Sequence, residues 1–182
     1  MNPHGAAETQ TPPTRIRRVA RVLTLDSLDR VLLFDTELAY THVWMTPGGA
    51  LNDGERYSAA VRRELWEETG LRPVSVSPCV WTVRFTFLST SGVLYDQRER
   101  YYAARVDSTG LTGDHREAAE RVEIRGHRWW TVGEIARSRA SLRPDGLGRL
   151  LPPVIAGLYP PSPVRAHVES GARVVRASGP AG

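Results

Sequence analysis

Three glutamates lie within five positions of one stretch of the chain, at Glu64, Glu67 and Glu68. In a helix, side chains three or four residues apart share a face, so these carboxylates would fall within an arc of about 100°. Carboxylates this close repel each other and weaken a helix. They also lie near the expected C-terminal end, where the helix dipole disfavours negative charge. A cation between them would relieve both costs, and magnesium prefers such oxygen ligands.

The residues around the glutamates follow a fixed spacing. Gly49 is followed after five residues by Glu55, and after seven more by the pair Arg63 and Glu64. The pattern then closes with Leu65, Trp66, Glu67, Glu68, Thr69, Gly70 and Leu71. Over residues 49–71 this arrangement resembles the Nudix box of the Nudix hydrolases.

The resemblance implies a role for each residue of the box. A family member would hold Mg²⁺, or Mn²⁺ in its place, with Glu64, Glu67, Glu68 and the carbonyl oxygen of Gly49. Arg63 would pair with a carboxylate and orient it, so that Arg63, Glu64 and Glu67 are the catalytic candidates within the box. Glu55 would support the loop of the box or a second metal ion.

The general base and the substrate contacts are left open by the box. In a family member the base would be a glutamate of the box, with Glu64 as the candidate, or an acid from a later loop. That loop offers Glu117, Glu120 and Glu123, among which Glu120 is preferred. The candidates for substrate binding are Trp44, which could stack on a base, Arg84 and Arg98, which could hold phosphates, and Glu99, which is also a candidate base. Packing of Trp44 in the core and plain exposure of the two arginines are the alternatives.

Elements that must position these residues can be predicted from periodicity and turn residues. Strands are expected at residues 17–25, 31–34, 79–88, 98–106 and 127–130, and the resemblance implies a short strand at 43–45. Loops are expected at 37–41 and 107–121, with a turn of helix at 116–121 as the alternative. Helices are expected at 57–69, ended by a glycine, at 131–138, opened by a capping box, and at 147–158, kinked or divided at a proline pair. On the first helix, the side predicted to pack on the sheet carries Ser58, Val61, Leu65 and Thr69.

This order of elements predicts an α/β (α+β) fold, because strands and helices do not alternate regularly. The resemblance implies a mixed β-sheet sandwiched between helices, with the box as a loop-helix-loop. We expect a disordered leader at residues 1–14, a Nudix domain at 15–159 and a flexible tail at 160–182.

Composition limits the setting in which the protein works. A single cysteine, Cys79, excludes an internal disulfide and favours a reducing compartment, and its apolar neighbours predict a buried side chain. No apolar run reaches the ~18 residues of a membrane span, so a cytoplasmic protein is expected. The net charge is +4 and all 24 basic residues are arginines. They are scattered, so a nucleic-acid partner is not clearly indicated, and a GC-rich genome explains their number more readily than phosphate affinity does.

The resemblance implies a hydrolase that depends on magnesium. It would cleave the diphosphate bond of a nucleoside diphosphate linked to another group X, or of a nucleoside triphosphate, and a homodimer is expected because many relatives form one. One alternative is a nucleotide sensor that kept the fold without catalysis. Another is isomerase chemistry on an isopentenyl diphosphate, which would need a catalytic cysteine, whereas Cys79 lies in an expected core strand.

Overall fold

A computed structural model describes residues 14–38, 41–89, 91–112, 124–168 and 174–175. The strands are β1 (Thr14–Leu25), β2 (Val31–Leu38), β3 (Thr41–Met45), β4 (Ser75–Ser89), β5 (Leu94–Arg105), β6 (Ile124–Trp130), β7 (Leu142–Arg143), β8 (Val164–Arg165) and β9 (Val174–Val175). The helices are α1 (Tyr57–Thr69), α2 (Val132–Arg137) and α3 (Leu147–Ile155).

The strands form one mixed sheet in the order β7-β3-β2-β1-β5-β4-β8, with β6 also paired to β2 and β9 to β4. The long strands β1 and β5 run parallel, whereas β4 and β5 form the predicted antiparallel hairpin. On its other edge, β1 pairs with the chain that leads into the box. The backbone N–H of Ala20 donates to Gly49 at 3.0 Å, and Leu51 donates to the carbonyl of Arg18 at 3.1 Å.

Each face of the sheet has its own core, because side chains alternate along β1. On one face Ala20 and Val22 pack against α1, through Ala60, Val61 and Leu65. On the other face the sheet packs against α2 and α3. This core includes Leu23, Leu25, Trp81 and Tyr101 from the sheet and Ile135, Leu147 and Leu151 from the helices. The sheet therefore lies between α1 and the two later helices, as the predicted sandwich requires.

Helix α1 begins and ends at the predicted residues. Gly70 adopts a left-handed conformation with φ 71°, and its N–H donates to the carbonyl of Trp66 at 2.8 Å, which closes the last turn. The prediction for Ser58 is wrong, because its side chain is exposed. The buried arc comprises Ala60, Val61, Glu64, Leu65, Glu68 and Thr69. Two glutamates thus lie within the packed surface of the helix rather than on a separate acidic face.

Several boundaries differ from the predictions. Strand β2 continues to Leu38 and β3 begins at Thr41, so residues 37, 38 and 41 belong to strands rather than to the expected loop at 37–41. Helix α3 is continuous through Pro152 and Pro153 and ends at Ile155. The two prolines lack the N–H that would bond the carbonyl four residues earlier, but their own carbonyls accept hydrogen bonds from the N–H groups of Ala156 and Leu158.

The expected C-terminal tail contains ordered pairing with the sheet. Strand β8 pairs in parallel with β4, and Ala166 is buried while its N–H donates to the carbonyl of Thr82 at 2.9 Å. Cys79, on β4, is half-buried rather than enclosed. In the part of the chain that the structure describes, no helix has both the length and the apolar character needed to cross a lipid bilayer.

Candidate active site

Two glycines bring the box against the sheet. Gly48 has φ 135°, and a Cβ there would overlap the carbonyl oxygen of Ala20 and lie 2.9 Å from Cα of Arg21. A Cβ on Gly49 would lie 2.6 Å from both Cδ and Oε2 of Glu64. The first glycine therefore lets the backbone approach β1, and the second lets a carboxylate of α1 approach the backbone.

The three glutamates of the box have different surroundings. Glu64 and Glu68 are buried, with 4% and 9% of their surface exposed. Oε2 of Glu68 accepts a hydrogen bond from the backbone N–H of Gly48 at 2.7 Å. Glu67 lies at the rim, where its side chain is 38% exposed. The box therefore directs two carboxylates inward and one toward solvent.

Arg63 joins these carboxylates to the loop of the box. Its Nε and Nη2 donate to the two oxygens of Glu55 at 2.9 and 2.8 Å. Its Nη1 donates to Oε1 of Glu64 at 2.8 Å and to Oε2 of Glu67 at 2.9 Å. Nη2 also donates to the carbonyl of Ala50 at 3.0 Å. All five N–H donors of the guanidinium therefore have an acceptor.

These bonds shift the ionisation of both partners. The hydrogen bonds from Arg63 hold the pKa of Glu55 below its ordinary value, although burial opposes the shift. The same bonds, followed by the charge of Glu64, raise the pKa of Arg63 above its ordinary value. Both groups are therefore charged around neutral pH, as an ion pair requires.

The donor set fits a hard divalent cation in its chemistry. Glu64, Glu67 and Glu68 supply carboxylate oxygens, and the Gly49 carbonyl keeps a second lone pair beside the bond from the backbone of β1. Among the described residues, however, no three His, Cys, Asp or Glu side chains form a ready cation site. Instead, Nη1 of Arg63 lies between Glu64 and Glu67 and offsets their repulsion. The absence of a side chain at Gly49 leaves room for the Glu64 carboxylate, and this room favours the use of Glu64 as an oxygen ligand.

Glu99 is the centre of a second, buried polar cluster. Its side chain is 4% exposed, and its Oε1 accepts hydrogen bonds from Nη2 of Arg21 at 3.1 Å and from Nε2 of Gln97 at 2.5 Å. Its Oε2 accepts from the hydroxyl of Tyr101 at 2.8 Å. Burial alone would raise the pKa of Glu99, but the Arg21 charge and these hydrogen bonds lower it below its ordinary value. Both carboxylate oxygens are therefore engaged within the protein.

The two predicted substrate arginines do not lie together with Glu99, whereas Trp44 lies on the same face of the sheet as Glu99. Arg84 binds the two oxygens of Asp96 at 2.8 and 2.9 Å, and Arg98 binds the same carboxylate at 2.8 Å. Their register places both arginines on the α1 face of the sheet, opposite to Glu99. Trp44 lies on the Glu99 face and packs edge-on against Trp130, with ring centroids 5.1 Å apart. Substrate binding by these residues stays a prediction.

A model of the NUDIX domain matches residues 15–151 of the chain. The protein belongs to the Nudix family. Nudix hydrolases generally use divalent metal ions, which agrees with the oxygen donors of the box.

Similar proteins carry related names. Over 84 residues the chain is 34% identical to an RNA pyrophosphohydrolase of Rhodopseudomonas palustris (strain BisB18), and over 35 residues it is 54% identical to one of Shewanella frigidimarina (strain NCIMB 400). The matches cover 42% and 19% of this chain but only 45% and 20% of those relatives. A MutT protein from Methanosarcina mazei Go1 shares the fold, with a TM-score of 0.56 at 19% identity over 77% of this chain and 91% of that one.

The Nudix box explains most of the predicted site, but one participant was missed. The structure brings Gly49, Glu55, Arg63 and the three glutamates together, while Glu117, Glu120 and Glu123 lie outside the described residues. Arg21 was not among the candidates, although it contacts both Glu99 and the Gly48 backbone. Arg21 lies at the same alternate positions of β1 as Val19 and Leu23, and this pattern in the sequence indicates an inward position. An arginine at such a position requires a buried partner, which is the signal that could have identified it.

Proposed function

We propose that this Nudix protein is a pyrophosphohydrolase that uses Mg²⁺, or Mn²⁺ in its place. It would hydrolyse the diphosphate bond in a nucleoside diphosphate linked to another group X or in a nucleoside triphosphate. The observation that carries the proposal is the convergence of Glu64 and Glu67 on one nitrogen of Arg63, beside a glycine backbone that leaves room for a carboxylate. Carboxylates collected in this way suit a cation that itself binds phosphate oxygens.

The residues of the box have separate tasks in this proposal. Glu64, Glu67 and Glu68, with the Gly49 carbonyl, would hold the cation, which when bound supplies neutralisation of phosphate charge and polarisation of the phosphorus–oxygen bonds. Arg63 orients Glu64 and Glu67 and fixes the loop through Glu55. A carboxylate then accepts the proton of the attacking water, and Glu64 is our candidate for that base.

RNA that ends in a diphosphate or triphosphate is a further candidate substrate. Support comes from the names of the relatives, which are RNA pyrophosphohydrolases. Free nucleotides and such RNA share the bond that would be cleaved, so the two classes differ only in the chain attached to the first nucleoside. Comparison of the kcat/KM values for a nucleoside triphosphate and for a short RNA with a 5′-triphosphate distinguishes them.

The test of the proposal is hydrolysis of a nucleotide panel, with and without Mg²⁺, by the wild type and by Glu67→Gln. We expect wild-type turnover only with the metal ion and a loss of at least about a hundredfold in the variant. Glu37→Gln is the control, because Glu37 is an exposed glutamate whose ion pair to Arg125 is long, at 3.7 Å. Stabilisation of the wild type by nucleotides without turnover would instead support the non-catalytic sensor.

We also propose a cytoplasmic homodimer. The single cysteine and the common behaviour of relatives support these two points. Light scattering of the purified protein over a concentration series measures the oligomeric state directly.

A further inference from the structure

Arg21 links the buried cluster around Glu99 to the backbone that leads into the Nudix box. Its Nη1 donates to the carbonyl of Gly48 at 3.1 Å, with a longer contact of 3.5 Å to the carbonyl of Thr46. Its Nη2 and Nε both donate to Oε1 of Glu99, at 3.1 and 3.3 Å. One guanidinium therefore connects the backbone segment that precedes the box to the Glu99 side chain of β5.

The geometry of this link continues into the carboxylates. Gly48 receives a hydrogen bond from Arg21 through its carbonyl, and its N–H donates to Glu68. The next residue, Gly49, has the Glu64 carboxylate directly against its Cα, where a side chain would otherwise lie. A shift or rotation of the backbone at Gly48 would thus move the N–H that binds Glu68. It would also move the backbone of Gly49, against which the Glu64 carboxylate packs.

Glu99 is held so firmly that it can serve as an anchor. Each of its oxygens is hydrogen-bonded, and the donors come from β1 and from β5 itself. The parallel register places Glu99 beside Val19 and places Arg21 beside Tyr101. The Arg21 charge is therefore fully compensated inside the protein, which makes it a support for the backbone rather than a ligand for substrate phosphate.

We propose that Arg21 and Glu99 are a positioning pair, which sets the Gly48 backbone and thereby the metal affinity of Glu64 and Glu68. The inference rests on the proposed use of a divalent cation, but it concerns binding of the cation and not hydrolysis. Residues that orient metal ligands typically change metal affinity by about 10–100-fold when they are replaced.

The experiment is a titration of the full chain with Mn²⁺, in which free Mn²⁺ is followed by electron paramagnetic resonance without substrate. We expect Arg21→Met and Glu99→Gln to weaken Mn²⁺ binding by at least about tenfold. The matched control is Asp26→Asn. Asp26 is also a buried acid, 1% exposed, and is paired with Arg30 at 2.7 Å in the turn after β1. This control should lose thermal stability but keep the affinity of the wild type.

A double variant separates positioning from loss of fold. Removal of one partner from a buried ion pair leaves an uncompensated charge. The double variant Arg21→Met with Glu99→Gln removes both charges and keeps an acceptor for the hydroxyl of Tyr101, so it should unfold at a higher temperature than Arg21→Met alone. Its Mn²⁺ affinity should stay low, because the Gly48 carbonyl has no donor. Wild-type affinity in this folded double variant, or an equal loss in Asp26→Asn, overturns the proposal. Wild-type protein that binds Mn²⁺ but hydrolyses nothing would refute the proposed hydrolysis alone.

Discussion

Arg63 binds Glu55 through two parallel hydrogen bonds, from Nε to Oε1 at 2.9 Å and from Nη2 to Oε2 at 2.8 Å. The pair ties α1 to the loop before it, since Glu55 also accepts a bond from the backbone of Asn52 at 2.9 Å. It also fixes the plane of the guanidinium, and this orientation directs Nη1 toward the carboxylates of Glu64 and Glu67. The loop thus sets the orientation of the residue that orients the carboxylates.

Arg63→Lys should impair the site although the charge is kept. Lysine has three donors on a single nitrogen, so it cannot reproduce five bonds to four groups. We expect kcat to fall by about 10–100-fold, as for other residues that orient metal ligands. The neighbouring, exposed Arg62 provides the control, because Arg62→Lys should leave kcat unchanged. A wild-type rate in Arg63→Lys would show that charge alone is sufficient.

The sequence predicts those parts of the molecule that local patterns determine. Helix α1 and its end at Gly70 follow from periodicity and from glycine's tolerance of positive φ. The hairpin of β4 and β5 follows from alternation. The parallel pairing of β1 with β5 does not, because it joins residues about 80 positions apart and leaves no local trace.

The same distinction applies to the site. The spacing of the box predicts which residues meet on α1, but not how deeply they lie. Glu64 and Glu68 are buried against the segment that follows β3, where Gly49 leaves space for Glu64 and the N–H of Gly48 donates to Glu68, which is a tertiary effect. Glu99 was a candidate for substrate binding, and its partner Arg21 is 78 residues away, so the pair could be identified only from coordinates.

Glu55→Gln should change how stability depends on pH. Arg63 lowers the pKa of Glu55 in the folded protein below the ordinary 4.5. The carboxylate therefore stabilises the fold above about pH 4.5, and this contribution is lost as the pH falls through the folded-state pKa. We expect the wild type to exceed Glu55→Gln in unfolding free energy at pH 7, with the difference shrinking at about pH 3.5.

Urea denaturation of both proteins at the two pH values measures this difference. Glu37→Gln serves as the control for the loss of a carboxylate, because Glu37 is half exposed and its ion pair with Arg125 is long, at 3.7 Å. If the two proteins differed by the same unfolding free energy at both pH values, the hydrogen bonds from Arg63 would not lower the pKa of Glu55.

Leu65→Ala should release α1 from the sheet. Leu65 is fully buried in the core beneath the helix, so truncation leaves a cavity and should cost about 2–5 kcal/mol of unfolding free energy. Val74→Ala provides the contrast, because Val74 is 71% exposed and its truncation should cost less than about 0.5 kcal/mol. Thermal and urea unfolding measure both values, and similar losses in the two variants would argue against this packing.

Alanine at Gly48 and at Gly49, the first residue of the box, should impair different properties. In Gly49→Ala the new Cβ would lie 2.6 Å from the carboxyl carbon of Glu64. That carboxylate is the end of a flexible side chain and can move aside, so the fold should persist while Mn²⁺ affinity and hydrolysis fall by at least about tenfold. In Gly48→Ala the new Cβ would meet the backbone of β1, which cannot move aside, and φ is 135°. Unfolding free energy should therefore fall by about 2 kcal/mol or more.

The comparison is decisive because the two glycines are adjacent. Circular dichroism with urea measures stability, and Mn²⁺ titration measures the ligand arrangement in whichever variant remains folded. If Gly49→Ala bound Mn²⁺ like the wild type, the room beside Glu64 would serve packing alone. If Gly49→Ala unfolded as readily as Gly48→Ala, the packing of the Glu64 carboxylate against Gly49 would be required for the stability of the fold.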